Sequence, residues 1–167
     1  MNEFNKYLKN ISGWNSHLPL LFNSLELTKT EDVVELGCGE GSTLFLHEYC
    51  LKNNRQLYSL DSNEDWVKKF KHLESPMHII QHVPDWDKFD FARLKIAVAL
   101  VDHAPGERRI IDIERLANLA KILVLHDTEP VGAGDYKFQK IWHLFKYRKD
   151  DSMFLAWTTA VSNFIEL

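Results

Sequence analysis

Over the first thirty residues, apolar positions recur at helical spacing: Phe4, Tyr7, Leu8 and Ile11, then Leu18, Leu21, Phe22 and Leu25 beside Pro19. Residues three and four apart share one helix face and proline suits a first turn, so two short helices are predicted. From Glu31 the period changes. Apolar runs at 32–36, 56–61, 77–82, 96–101 and 121–126 read as strands, and helical patterns at 42–53, 64–73 and 108–119 lie between most of them. The runs Ile96 to Val101 and Ile122 to Leu125 are apolar throughout, as central parallel strands covered on both faces are. Asn63 is a natural cap for a helix with Glu64 and Asp65 in its first turn and Trp66, Val67, Phe70 and Leu73 on its inner stripe. A further helix is predicted after Gly132-Ala133-Gly134, through Ile141 and Leu144, and Asp150-Asp151-Ser152 turns a hairpin into 153–162. The alternation predicts an α/β fold: one domain over 1–167, with a helical cap at 1–30 and a core at 31–167.

The strand at 32–36 ends in Glu35-Leu36 and runs directly into Gly37-Cys38-Gly39-Glu40-Gly41, with Ser42 and Thr43 opening the next helix. Glycines between a strand and a helix N-terminus let the backbone turn sharply with a ligand lying against it. The dinucleotide fingerprint needs its third glycine one residue later, where Ser42 stands, so a nicotinamide cofactor loses ground. The second strand ends in Asp61, whose carboxylate can accept from both hydroxyls of a ribose. Glu35 favours S-adenosylmethionine, whose amino-acid end carries an ammonium.

Composition narrows the setting. The chain has 167 residues, 45% hydrophobic and 26% charged, which is ordinary for one globular domain. No apolar run approaches the roughly 20 residues a bilayer span needs. A net charge of -4 without dense Lys/Arg clustering argues against nucleic acid as a partner, and Lys137, Lys140, Lys146, Arg148 and Lys149 read as a solvated face. The start lacks the basic and apolar stretches of a secretion signal, and Cys38 and Cys50 are the only cysteines. A cytoplasmic setting, with both thiols as small buried side chains, is expected.

Glu35 to Gly41, Asp61 and Val101-Asp102-His103 together resemble the class I S-adenosylmethionine-dependent methyltransferases over roughly residues 31 to 165. The resemblance implies a Rossmann-like seven-stranded sheet, mostly parallel with an antiparallel C-terminal strand and helices on both faces. It places Glu35, Gly37, Cys38, Gly39, Gly41 and Ser42 at the methionine part of the cofactor and Asp61 at the ribose. Gln81, His82 and His103 fall on the adenine side, and Asp102 beside the sulfonium.

Two rim segments carry the acceptor chemistry: Asp102 to Arg108 after the fourth strand and His126-Asp127-Thr128-Glu129 after the fifth. Two carboxylates brought together repel unless a cation or proton lies between them. The segments also resemble those of catechol-type O-methyltransferases, which implies a magnesium-like ion on Asp102, Asp127 and Thr128 or Glu129. The chain departs from that pattern at Thr128, where an amide is expected, and at Pro105, where a lysine is. His103, His126 and Asp127 are the candidate bases, since a neutral imidazole suits proton removal near neutrality. Arg108 and Arg109, at a helix start, either pair with Asp112 or Glu107 or bind an anion of the acceptor. The loop from Glu129 to Lys137 is expected to form the substrate pocket together with Trp14, Asn15 and His17. The leading expectation is O-methylation of a small molecule, with or without a metal. Metal-independent N-methylation and a non-catalytic S-adenosylmethionine-binding module docked on a partner enzyme are the alternatives.

Overall fold

The computed structural model describes residues 4–130 and 136–167. Seven strands form one sheet: β1 (Asp32–Leu36), β2 (Leu57–Asp61), β3 (His78–His82), β4 (Ile96–Val101), β5 (Ile122–His126), β6 (Tyr147–Asp151) and β7 (Thr158–Ser162). Their order is β3-β2-β1-β4-β5-β7-β6. β1 to β5 are parallel to their neighbours, and β7 lies antiparallel between β5 and β6. The apolar runs expected as strands are therefore all present, and β4 and β5 are buried along their whole length, as continuous apolar sequence requires.

The helices are α1 (Asn5–Leu8), α2 (Leu18–Thr28), α3 (Thr43–Lys52), α4 (Glu64–Phe70) and α5 (Arg109–Leu116). Alternation along β1 sends its side chains to two cores. Val33 faces the side covered by α2 and α3, among Leu21, Leu25, Phe45 and Tyr49. Val34 and Leu36 face the side covered by α5, with Trp86, Phe91, Ile113 and Leu116. The cap at the N-terminus is tied to the sheet by Arg55, 2% exposed, which donates to the carbonyls of Leu25 in the last turn of α2 and of Thr30 and Glu31 in the segment between α2 and β1.

Several predicted helices are shorter. The pattern at 64–73 ends at Phe70 and continues as a 3-10 turn, Lys71–Leu73, and that at 108–119 is a 3-10 turn, Gly106–Arg108, followed by α5. Asn63 caps α4 as expected, accepting from the Asp65 amide, but Trp66 is 37% exposed rather than on the inner stripe. The helix expected through Ile141 and Leu144 is two 3-10 turns, Phe138–Lys140 and Trp142–Leu144. Lys137 precedes them at φ 59, a left-handed conformation that no helix continues, while Phe138 and Ile141 keep their inward positions in the core. Gly132 and Gly134 lie outside the described residues. Among the described residues no helix is long and apolar enough to cross a membrane.

Candidate functional site

Parallel strands deliver their carboxyl ends to one rim, and there the ends of β1, β2, β4 and β5 border a cleft of about 860 Å3. The glycine turn forms one wall. Gly37 has φ +96, and a Cβ on it would fall 2.6 Å from the Asp102 carbonyl oxygen, so only glycine lets the turn press against the end of β4. A Cβ on Gly41 would fall 2.7 Å from the Trp14 carbonyl oxygen, which shows how closely the N-terminal segment lies on the turn. Cys38, Gly39, Ser42 and Asp61 line the same wall.

Glu35 does not line it, which corrects its expected place against the cofactor. It shares a face of β1 with Val33 and sits fully buried beneath the first turn of α3. Its carboxylate accepts from the Ser42 hydroxyl at 2.5 Å and the Thr43 hydroxyl at 3.0 Å, and Thr43 Oγ1 accepts from the Gly39 amide at 2.9 Å. Glu35 thus positions the turn from below. Burial pushes its pKa up to about 7, against the pull of the Ser42, Ser59 and Thr43 hydroxyls, and the charge of Asp61 adds to the rise. Asp61 also holds the turn: its two oxygens accept from the amides of Cys38 at 2.8 Å and Asn63 at 2.7 Å. Each oxygen retains a second lone pair, so the acid can brace the loop and still accept from a ligand in the cleft.

The opposite wall is a network of charges. Asp102 and Asp127 do approach each other, but the cation between them is Arg109, which donates to Asp102 at 2.8 Å and to Asp127 at 3.0 Å from its two terminal nitrogens. The guanidinium also lies over the Tyr136 ring at 4.5 Å. Asp127 reaches it from a left-handed backbone, φ 59, directly after β5. His126 Nδ1 lies 3.2 Å from Asp102 Oδ2, and its Nε2 lies 2.9 Å from the Ser16 hydroxyl. Ser16 gives its only proton to the Ala156 carbonyl at 2.6 Å, so His126 donates to Ser16 through Nε2 and to Asp102 through Nδ1. Burial favours the neutral ring, but the bond to Asp102 and the charges of Asp102 and Asp127 outweigh it and raise the His126 pKa. Asp102 moves the other way: burial raises its pKa, and His126 and Arg109 more than reverse that. With both nitrogens donating, His126 is a donor in this arrangement.

Other expected site residues are used elsewhere. His103 is buried on the α5 side, where Nε2 meets Asp112 at 3.1 Å and the ring packs on Trp86 at 4.6 Å, so it is neither a base nor a cofactor contact in this geometry. Asp112 is held by Arg108 and Arg115 as well, so Arg108 has the expected partner and Arg109 does not. Gln81 and His82 are not among the residues lining the cleft, and His82 Nε2 is bonded to the Ser62 carbonyl. The Thr128 hydroxyl meets Thr159 at 2.8 Å and Glu129 accepts from the Trp157 amide, both toward β7. The magnesium set of Asp102, Asp127 and Thr128 is therefore not assembled: a guanidinium bridges the acids and the hydroxyl points into the sheet edge. Trp66, beside Asn63 and Asp61, lines the cleft instead of the core. The outer mouth is apolar, with Trp14 90% and Leu155 87% exposed, and His17 closes the floor.

No protein-family model and no curated protein sequence matches this chain. Solved structures do. The N-terminal domain of human METTL16 in complex with SAH is 12% identical, with TM-score 0.62 over 89% of this chain and 70% of that one. A provisionally named O-methyltransferase from Klebsiella pneumoniae is 11% identical, with TM-score 0.66 over 99% and 91%. The 16S rRNA methylase ArmA is 10% identical, with TM-score 0.57 over 91% and 83%. The chain has the class I methyltransferase fold. The expectation that nucleic acid is excluded as a partner is overturned by the same comparison, because an rRNA methylase is built on this fold. Modest net charge is no argument against such an acceptor.

Proposed function

We propose that the protein is an S-adenosylmethionine-dependent methyltransferase that acts on a hydroxyl of a small acceptor. The observation that carries this is the shared cleft, with the glycine turn and Asp61 on one wall and Asp102, His126 and Asp127 on the other. The residues fit the cofactor: a Cβ at Gly39 would meet nothing closer than Ser42 Oγ at 3.6 Å, so the turn leaves room beside it. Asp61 would take the ribose hydroxyls, and Trp66 offers an aromatic face, stacked on Phe70 at 6.0 Å, for the adenine. When bound, the cofactor supplies an electrophilic methyl on a sulfonium sulfur, open to in-line attack.

The protein's contribution is then position and exclusion of water. Ser16, bonded to both His126 and Ala156, ties the N-terminal segment and the loop before β7 to the rim, so Trp14 and Leu155 stand over the cleft mouth. Arg109 holds Asp102 and Asp127 in fixed places. The apolar mouth supports a small acceptor with an aromatic or aliphatic body. The test is transfer of labelled methyl to a panel of hydroxylated small molecules, amines and structured RNA. Labelled hydroxyl products are expected. Labelling confined to amines or RNA overturns the acceptor class, and tight cofactor binding without any labelled product makes the chain a binding module.

A further inference from the structure

His17 has no use in the methyl-transfer reading. It is 1% exposed and borders the cleft, yet among the described residues neither ring nitrogen has a hydrogen-bond partner. A buried imidazole left that way is uncommon in a folded protein and calls for an explanation. The His17 ring stands edge-on to His126, with ring centres 4.8 Å apart at 81°. Single donor atoms of His17, Asp102 and His126 all lie within 4.8 Å of one another.

We propose that His17, Asp102 and His126 form a two-histidine, one-carboxylate site for a divalent transition ion of the zinc type, open on the cleft side to the acceptor. Two imidazoles and one carboxylate favour zinc-like ions over magnesium, which prefers oxygen donors throughout. A tetrahedral ion with bonds near 2.1 Å sets its ligand atoms about 3.4 Å apart. His126 Nδ1 and Asp102 Oδ2 already lie 3.2 Å apart, so closing the site is mainly a matter of bringing in the His17 ring.

The outer partners that such sites need are in place. His126 donates Nε2–H to Ser16, which fixes the tautomer that presents Nδ1 to an ion. Asp102 Oδ1 is held by Arg109, leaving Oδ2 on the histidine side. The ion takes the place of the proton on His126 Nδ1, which leaves to the buffer, and Asp127 remains to balance Arg109. With three protein ligands, the fourth position faces the cleft, where an acceptor hydroxyl or thiol bound to the ion loses its proton more readily. This last clause rests on the methyl-transfer reading, and the ion site itself does not.

The experiment is addition of Co2+, and separately Zn2+, to tag-free full-length protein treated with chelator, read by visible d–d absorption and by calorimetry. One saturable site with cobalt absorption of low-symmetry coordination is expected, and His17→Gln should weaken zinc binding at least about 100-fold. Asp102→Asn should do the same, which keeps the test decisive if one variant folds poorly, and Asp127→Asn should change affinity less than tenfold. Absence of cobalt absorption in the wild type, or unchanged zinc affinity in a folded His17→Gln, overturns the site. S-adenosylhomocysteine binding is measured on the same samples. Cofactor binding without an ion site refutes only this proposal, and an ion site without cofactor binding refutes only the methyl-transfer reading.

Discussion

The two walls of the cleft are built by different means. The wall after β1 and β2 is made of backbone: Gly37 at φ +96 against the Asp102 carbonyl, the Gly39 amide on Thr43, and the Cys38 and Asn63 amides on Asp61. The wall after β4 and β5 is made of side chains from four separate stretches: Ser16 and His17, Asp102, Arg109, and His126 with Asp127. The first depends on conformations that few residue types can adopt. The second depends on charges neutralising one another, so a single truncation there exposes its partners rather than straining the chain.

That contrast is open to attack. Gly37→Ala combines a strained positive φ with a Cβ driven into backbone, and the sum is on the order of 3–5 kcal/mol of lost stability in denaturant unfolding. If the variant unfolds with the wild type, the turn is more yielding than its geometry implies. Arg109→Met leaves Asp102 and Asp127 with His126 as the one cation between them among the described residues. These acids are partly exposed, so the loss should be about 2–3 kcal/mol, somewhat less than for a fully buried pair. Arg109→Lys should recover only part of it, because one ammonium cannot reproduce a fork that reaches both acids.

Glu35 links the two kinds of construction, since a carboxyl pins a backbone turn. Its folded pKa, about 7, lies above the ordinary value of 4.5, so its contribution to stability is full below pH 4.5 and is lost as pH rises through 7. Relative to Glu35→Gln, the wild type should therefore lose on the order of 3 kcal/mol between those limits. Parallel stability curves for the two proteins would show that Glu35 does not titrate in this window.

The difference between the walls also explains what was legible in the sequence. The positions of the strands along the chain and the turn at Gly37 to Gly41 follow from local patterns, because apolar runs, glycine spacing and a cap such as Asn63 act within a few residues. Alternation along β1 sets the place of Glu35: Val33 faces α3, and so does Glu35 two residues on. The places of His103 and Thr128 are not local properties, because their partners, Asp112 and Thr159, come from other elements. One usable signal was present. Asp112 sits at an inward position of α5 between Arg108 and Arg115, and an acid there must be paired, which draws in the nearest histidine. Arg109 between two rim acids carried a similar signal, since two carboxylates require a cation and the chain supplies one six residues after His103.

The central claim is that the glycine turn and Asp61 hold the nucleoside part of S-adenosylmethionine. Calorimetric titration of S-adenosylhomocysteine into the wild type and Asp61→Asn tests it most directly. A single saturable site is predicted in the wild type, weakened at least about tenfold in the variant, because one charge-assisted hydrogen bond is worth ~1.5–3 kcal/mol. No saturable binding to the wild type, or equal affinity in a folded Asp61→Asn, would contradict it.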